Sequence, residues 1–216
     1  MLIRKYLLLV CLSLALADVV HAQFKLGFQF SPTLSTNRIN ADSDSLTLNT
    51  DGAGLRVAFG PIIDVPIQEN YFFSSGLLFV SKRAGIEAIR EGNNPGIPTR
   101  ETYGLQYLQV PLSLKLLTNE VALDKKIYFQ FGTTLEFNIQ EEPNENDHFL
   151  LEDFRLFDSS LLAAVGVEYK IGLNTTLFGG FSYHRGLINA VSGSADVIDD
   201  IRYRNDYLGL DIGVKF

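Results

Sequence analysis

The chain has 216 residues, 46% of them hydrophobic, and its 18 basic and 25 acidic side chains give a formal net charge of −7. This length suits a single domain, and the acidic balance excludes nucleic acid as a partner because no basic face is available to bind phosphates. We therefore expect one domain whose partners are not nucleic acids.

The first 22 residues have the order of a secretory signal peptide. Two basic residues precede an apolar run from Tyr6 to Ala17, and Ala22 provides a small residue at the cleavage point. The run falls short of the ~18–20 apolar residues that a spanning helix needs. We predict a signal peptide over residues 1–22 and a barrel domain over residues 23–216. Cys11, the only cysteine, would leave with the signal, so backbone pairing and packing must hold the mature fold.

Eight stretches of the mature chain alternate between apolar residues and small or polar residues, which is the period of a β-strand. The first sets Phe24, Leu26, Phe28 and Phe30 against polar or small neighbours. The third is the weakest, because Leu78 and Val80 occupy its polar face. The predicted strands cover residues 24–31, 54–67, 71–82, 107–116, 127–138, 160–169, 177–184 and 207–216.

The connections between these stretches alternate in length. Short ones cover residues 68–70, 118–125 and 170–174, and long ones cover residues 33–51, 84–102, 139–156 and 187–203. An up-and-down barrel collects its short turns at one end, which faces the periplasm in outer-membrane barrels. We therefore predict an all-β, eight-stranded antiparallel up-and-down transmembrane β-barrel in the outer membrane, surrounded by outer-membrane lipids.

Alternation alone does not distinguish this barrel from a soluble lipocalin-like barrel, whose eight strands turn their apolar face inward around a ligand. Here the polar face carries many small residues, among them Gly27, Gly132, Gly166 and Gly213. Small residues suit a narrow, filled lumen, and a surface that faces water has no need of them. Together with the loop lengths and the terminal Phe216, they favour the membrane barrel.

The predicted barrel depends on its last strand for closure. Leu208, Leu210, Ile212, Val214 and Phe216 share one face, and this apolar register should fix the pairing of the last strand with the first. We expect loss of the terminal aromatic residue to impair insertion into the membrane.

The segment from Tyr107 to Lys115, Tyr-Leu-Gln-Val-Pro-Leu-Ser-Leu-Lys, resembles the PorT-type outer-membrane β-barrel family of the Bacteroidetes, whose members carry a Tyr-Leu-x-x-Pro-Leu strand here. Further similar segments are Gly76 to Phe79, Tyr183 to Asn189 and Gly213 to Phe216. The resemblance implies a barrel over the whole mature chain and a link to protein secretion and gliding machinery. Relatives often have arginine where this chain has Ser182, so any role of that arginine does not carry over.

The fourth predicted strand contains a proline, Pro111. Proline cannot donate a hydrogen bond to a strand ladder, and a closed barrel has no edge on which to place it. We therefore expect a bulge or a local break in pairing at Pro111, which is a structural role.

Several charged residues fall on the polar face and so in the predicted lumen: Arg56, Lys115, Glu136, Glu168, Asp211 and Lys215. Isolated burial of a charge is costly, so these groups must pair or stay hydrated. Arg56 and Lys115 lie in the first half of the barrel and the acidic residues in the second, so packing brings opposite signs together. We predict an ion network rather than a proton or ion path, in a lumen plugged with the help of Tyr107, Tyr128 and Tyr207.

Two histidines remain in the mature chain, His148 and His184. Some small outer-membrane barrels are lipid-modifying hydrolases that use serine, histidine and an acid, and Ser182 shares a face with His184. No Gly-x-Ser-x-Gly motif accompanies this pair, so we favour a protein that is not an enzyme and has no catalytic residues. The hydrolase is the alternative.

The third long connection, within residues 141–153, is rich in acidic residues: Glu141, Glu142, Glu145, Asp147, Glu152 and Asp153. Carboxylates can bind calcium, but this run lacks the fixed spacing of an EF-hand loop. We expect a solvated charged loop, with divalent bridging to lipid headgroups left open, and assign no metal or cofactor site. The second long connection carries Arg83, Arg90 and Arg100 and could meet headgroups directly. The favoured function is a structural or interaction component of the envelope, in contact with other envelope or secretion proteins.

Overall fold

The computed structural model describes residues 24–42, 46–90, 99–143, 151–194 and 200–216. The predicted signal peptide, residues 1–22, lies outside them. Twelve strands are present in this part of the chain: β1 (Lys25–Asp42), β2 (Leu46–Thr50), β3 (Gly54–Gln68), β4 (Tyr71–Gly76), β5 (Leu78–Arg90), β6 (Thr99–Leu117), β7 (Lys125–Pro143), β8 (Leu151–Phe154), β9 (Phe157–Lys170), β10 (Thr176–Gly186), β11 (Val191–Ser194) and β12 (Asp200–Lys215). None of the described residues belongs to a helix that is long and apolar enough to cross a membrane.

The strands form a closed antiparallel ring. β1 pairs with β12 on one side and with β3 on the other. From β3 the ring continues through β4 and β5, which together fill one position, and then through β6, β7, β9 and β10 back to β12. The ring therefore has eight strand positions, which confirms the predicted eight-stranded barrel.

The apolar face points outward. Phe131, Phe181 and Ile212 are 54%, 60% and 51% exposed, although they belong to regular strands. The opposite parity is buried in the lumen and includes Lys115 and Glu136. A soluble barrel has the reverse arrangement, so the lipocalin-like alternative is excluded by the direction of the side chains.

The two ends of the barrel differ. At the short-turn end, the connections between β3 and β4, β6 and β7, and β9 and β10 are brief. At the long-loop end, strands continue into segments that the sequence placed in loops. β2 pairs with the outer part of β5, from Leu46↔Arg90 to Thr50↔Ile86, and β8 pairs with β11. The predicted long loops are therefore partly strand, because hairpins continue beyond the level at which the apolar alternation stops.

Pro111 lies at a break in the ladder, as predicted. β6 pairs with β4 up to Ser75↔Leu112 and with β5 from Leu78↔Gln109 onward. Between these points the amide of Leu77 donates instead to the carbonyl oxygen of Pro61, at 2.9 Å. The missing donor of Pro111 therefore coincides with the gap between β4 and β5.

Candidate functional site

Four charges share one buried site in the lumen near the short turns: Asp64, Lys115, Glu168 and Lys215, here called the inner cluster. Lys215 Nζ lies 2.6 Å from Asp64 Oδ2 and 2.5 Å from Glu168 Oε1. Lys115 Nζ lies 2.8 Å from the same Glu168 oxygen and 3.4 Å from Asp64 Oδ2. Two positive and two negative charges thus neutralise one another, as burial requires.

The ring geometry explains how these residues meet. They lie on β3, β6, β9 and β12, which are every second position around the ring. Inward side chains from alternate strands of a narrow barrel fall in the same layer. The inner cluster is therefore a layer of the lumen, and it confirms the predicted ion network at Lys115, Glu168 and Lys215.

Aromatic rings and glycines complete this layer. Lys115 Nζ lies 4.3 Å from the centroid of the Tyr128 ring, and Lys215 Nζ lies 5.0 Å from that of Phe178. A Cβ atom at Gly166 would lie only 2.6 Å from the Tyr128 ring. Glycine on the polar face thus provides the space for a large lumen side chain, as the sequence predicted.

A second buried group, here called the outer cluster, consists of Lys82, Glu136 and Asp158. Lys82 Nζ forms an ion pair with Glu136 and lies 3.9 Å from Asp158 Oδ2. Glu136 Oε1 also accepts hydrogen bonds from Thr134 Oγ1 at 2.9 Å and Ser160 Oγ at 3.1 Å. The two hydroxyls satisfy the carboxylate oxygen that does not face Lys82.

Aromatic side chains fill the lumen around the outer cluster. Lys82 Nζ lies 4.7 Å from the ring centroid of Tyr107 and 5.5 Å from that of Tyr207. The Tyr207 hydroxyl donates to Gln109 Oε1 at 2.8 Å, and the Tyr207 ring stacks on His184 with centroids 4.0 Å apart. These side chains are fully or almost fully buried. Large groups therefore cross the barrel at this level.

Asp211 lies in the lumen, as predicted, but it binds hydroxyls. Ser31 Oγ donates to Asp211 Oδ1 at 2.7 Å, and Ser182 Oγ donates to the same oxygen at 3.0 Å. His184 Nδ1 is buried without a hydrogen-bond partner in the described part of the chain. The serine and histidine of the hydrolase alternative thus contact different partners, although a nucleophile and its base need a mutual hydrogen bond.

The sequence assigned Arg56 correctly to the inward parity, since it lies opposite the buried Thr33, but three members of the clusters were missed. Arg56 is half-buried, its Nη1 donates to the carbonyl oxygen of Leu55 at 3.1 Å, and it belongs to neither cluster. Asp64, Lys82 and Asp158 were not predicted as members. Asp64 and Lys82 both lie at polar positions of predicted strands, so strict use of parity would have found them. Asp158 lies before the predicted start of its strand at residue 160 and carried no such signal.

The charged loops are described in part. Glu145, Asp147 and His148 lie outside the described residues, and the described residues contain no group of three or more metal-ligating side chains. In the second long connection, Arg83 Nη2 lies 2.7 Å from Asp51 Oδ2, and Arg100 Nη2 lies 2.8 Å from Glu87 Oε1. The expectation of a solvated charged loop over residues 141–153, with divalent binding left open, stays a prediction. Arg83 and Arg100, by contrast, already have carboxylate partners.

The short-turn end opens into a cavity of about 590 Å³. Its lining combines both signs of charge with apolar side chains and includes Lys25, Glu69, Asp124, Lys126 and Leu173. Leu173, at the tip of its turn, is 93% exposed. This mouth therefore offers a mixed polar and apolar surface outside the filled part of the lumen.

Comparison with known proteins identifies the family. A family model described as outer membrane protein beta-barrel domain matches residues 18–192. The chain belongs to this family. It therefore resides in the outer membrane, and its exposed apolar wall faces lipid. No curated protein matches the chain.

Two solved structures of outer-membrane proteins are similar to this chain. Neisserial surface protein A is 12% identical, with 89% of this chain and 95% of that chain covered, at a TM-score of 0.50. The outer membrane protein OprG from Pseudomonas aeruginosa is also 12% identical, with 88% and 95% covered, at a TM-score of 0.45. At this level of identity the first of these likenesses shows the fold alone. In outer-membrane barrels the short-turn end faces the periplasm and the long-loop end faces outside.

Proposed function

We propose that this outer-membrane barrel does not conduct solutes and acts through its surfaces, as a structural or interaction component of the cell envelope. The inner and outer clusters carry the proposal. Buried ion pairs and stacked rings cross the lumen at two levels, and narrow eight-stranded barrels have little space beyond their side chains. A protein whose lumen is filled in this way has its working surfaces at its two ends and its lipid wall.

Planar-bilayer recording of the purified protein tests the filled lumen. We expect no steady conductance at neutral pH, because opening a path would expose paired charges that are stable only together. A large, steady conductance from folded protein would contradict the proposal. Heat-dependent migration on gels would show that the inserted protein is folded.

The short-turn end is the proposed contact surface for other envelope proteins. Its cavity presents Lys25, Lys126 and Glu69 beside the exposed Leu173, a combination typical of protein contacts, where apolar anchors are surrounded by polar groups. The sequence resemblance to PorT-type barrels, centred on Tyr107 to Lys115, supports a partner from secretion or gliding machinery. This link extends the proposal from a general envelope component to a specific kind of assembly.

A photo-crosslinking amino acid placed at Leu173 in the native host tests this surface. We expect a crosslinker at Leu173 to capture a periplasmic or membrane partner. Leu210 is exposed on the lipid wall, so a crosslinker there should not capture that partner. Crosslinks to lipid alone from both positions would contradict the interaction role. Secretion should decrease in a deletion strain if the secretion link holds.

We also propose that the protein is not an enzyme. Ser182 donates to Asp211 instead of contacting His184, so the arrangement lacks an activated nucleophile. Replacing Ser182 by alanine should leave the envelope lipids of the host unchanged, as measured by mass spectrometry. A lost lipid modification in cells that hold folded variant at the wild-type level would favour the hydrolase alternative.

A further inference from the structure

The cavity at the short-turn end has a buried floor inside the barrel. Its volume is about 590 Å³, and its floor consists of Phe72, Glu168 and Thr176, all of them buried. Glu168 belongs to the inner cluster, so the cavity ends directly against that cluster. A cavity of this size suits one small ligand or one chain end rather than a folded domain.

Two lysines beside this floor have no carboxylate partner. Lys25 lies directly opposite Asp64 in the register, and Lys126 lies directly opposite Glu168, so both side chains share the inward face. Both lysines are half-buried and line the cavity, and neither forms an ion pair within the described part of the chain. The two carboxylates are bound instead by the lysines of the inner cluster.

The inward face therefore carries an excess of positive charge at this level. Four lysines share it with two carboxylates: Lys25, Lys115, Lys126, Lys215, Asp64 and Glu168. The next lumen carboxylate, Asp211, lies four residues further along β12, about 13 Å along a strand. It is bound by the hydroxyls of Ser31 and Ser182. A half-buried excess of positive charge is stabilised by an anion that enters the cavity.

Lys25 and Lys126 come from opposite walls of the barrel. Their strands, β1 and β7, are four positions apart in the ring. Lys115 and Lys215, on β6 and β12, are also four positions apart, and they reach the same oxygen of Glu168 at 2.8 and 2.5 Å. Lysine side chains from opposite walls thus span this narrow lumen. By the same geometry, one carboxylate on the cavity axis is within reach of both Lys25 and Lys126.

The rim of the cavity has the opposite charge. Glu69 lies in the turn between β3 and β4, and Glu120 and Asp124 lie in the turn between β6 and β7. All three are exposed, and none has an ion-pair partner among the residues that the structure describes. Lys170 is the basic residue of the rim, so the entrance stays net negative. Such an entrance disfavours a ligand that carries negative charge alone.

The wall between floor and rim includes apolar side chains. Phe72 and Leu117 line it, and the Phe72 ring also lies 5.4 Å from Lys25 Nζ, measured to the ring centroid. A ligand that reaches Lys25 therefore passes an apolar surface. The cavity thus combines an acidic entrance, an apolar wall and a basic floor.

We propose that this cavity binds the carboxyl-terminal end of a partner polypeptide that has basic residues a few positions before its terminus. The proposal rests on the proposed role of the short-turn end as a contact surface. The terminal carboxylate meets Lys25 and Lys126, an apolar last side chain packs against Phe72 and Leu117, and the basic residues meet the acidic rim. Capture of a carboxyl terminus is a recurring mode of peptide recognition. A free anion or an anionic lipid lacks the cationic groups that the rim requires.

Fluorescence anisotropy with purified protein in neutral detergent tests the site. The probe is the peptide Gly-Ser-Lys-Lys-Ser-Leu, with a free carboxyl terminus and a neutral fluorophore at its amino end. We expect the same peptide with a terminal amide to bind at least about tenfold more weakly, because it loses a charge-assisted contact to two lysines. A version with serine in place of both lysines should also bind more weakly and depend less on salt. Equal affinity for the acid and the amide would overturn the proposal.

Lys125 and Lys126 provide a matched pair of variants. They are neighbours in the chain, but Lys125 Nζ lies 5.4 Å from the ring centroid of Tyr169 on the outward face, whereas Lys126 lines the cavity. We expect Lys126→Gln to bind the acid peptide several-fold more weakly and Lys125→Gln to bind it as wild type does. Lys25→Gln/Lys126→Gln should lose the preference for acid over amide. Equal losses at both neighbouring positions would reduce the effect to net charge and overturn the site.

Folding and specificity need their own controls. Heat-dependent gel migration verifies folding, and if the double variant misfolds, the single variants Lys126→Gln and Lys125→Gln decide. Free lysine at the concentration of the peptide should not compete, and effective competition would assign the cavity to a small zwitterion instead of a chain end. Partner crosslinks from Leu173 in a protein that does not bind the acid peptide would overturn this inference alone and leave the interaction role intact.

Discussion

Lys215 on β12 and Asp64 on β3 form an ion pair in the lumen, although 151 residues separate them in the chain. Their strands are not neighbours, since β1 lies between them in the ring. The Nζ–Oδ2 distance of 2.6 Å therefore depends on β1 pairing correctly with both neighbours. This pair links the last strand of the barrel to the second strand position through the lumen rather than through the backbone ladder.

Replacing Asp64 by asparagine should destabilise the barrel. The change leaves Lys115 and Lys215 sharing Glu168 alone, and removal of one partner from a buried ion pair costs about 3 kcal/mol or more. Urea unfolding in lipid vesicles, followed by tyrosine fluorescence, measures the free energy of unfolding. Glu120→Gln, at an exposed short turn, is the control and should change stability little. If Asp64→Asn is as stable as wild type, the inner cluster does not hold the fold.

The double variant Asp64→Asn/Lys215→Met should recover part of that loss. Removing both partners leaves Lys115 paired with Glu168 at 2.8 Å, so no uncompensated charge remains. Greater stability than in Asp64→Asn alone, in the same unfolding experiment, is the expected result. Additive losses would mean that the two residues do not interact.

Gly166→Val should prevent normal packing of the lumen. The added Cβ would lie 2.6 Å from the Tyr128 ring, and overpacking of this kind costs about 1–3 kcal/mol. The fraction of protein that folds in detergent micelles, read from heat-dependent gel migration, should decrease. Tyr128→Ala in the same chain should restore only the part of the folding that is lost to the ring, because the added Cβ would still lie 2.3 Å from the carbonyl oxygen of Gly179. A Gly166→Val variant that folds fully would show that the glycine is not needed for space.

Tyr107→Ala/Tyr207→Ala should open the lumen. Both rings contact Lys82 and block the barrel at the level of the outer cluster. Their removal leaves space for water beside an ion pair, so small conductance steps should appear in planar bilayers where wild type shows none. Phe131→Ala, on the lipid face, is the control and should stay silent. Silent recordings from the folded double variant would place the main block elsewhere in the lumen.

Arginine substitutions along β12 should report the depth of the lipid wall. Ile212→Arg, in the middle of the exposed apolar series, should cost about 2–4 kcal/mol, whereas Phe216→Arg near the short-turn end should cost about 0–1 kcal/mol. Unfolding in vesicles compares the two. Equal costs at both positions would be inconsistent with a membrane that covers this face.

The barrel itself could be predicted from the sequence because the membrane imposes a period of two on every strand that crosses it. Residues 207–216 show this clearly, and the structure confirms their parity. The outer parts of the hairpins, such as β2 and β8, could not be predicted in the same way. They lie beyond the lipid, where the two faces of a strand do not meet different solvents. No alternation of apolar and polar residues is therefore required there.

The candidate sites were predictable in part for a related reason. Lys115 and Glu168 were found because a charged residue on the polar face of a clearly alternating strand must point into the lumen. Lys82 was missed because Leu78 and Val80 made its strand look irregular, although all three point into the lumen. The ion pair of Arg38 with Asp206 depends on strand register across the closure, which periodicity does not contain.

The ring closure also has a kinetic meaning. Seven of the eight pairings join strand positions that follow one another in the chain, and only β1 with β12 joins distant segments. Bringing such distant segments together carries the largest loop-closure entropy and belongs late on the folding route. Until then Asp64 and Lys215 are apart, and the lumen of the open sheet holds unmatched charges. Charges in the lumen thus lack their partners until the last strand pairs with the first. This disfavours the accumulation of partly closed barrels in the bilayer.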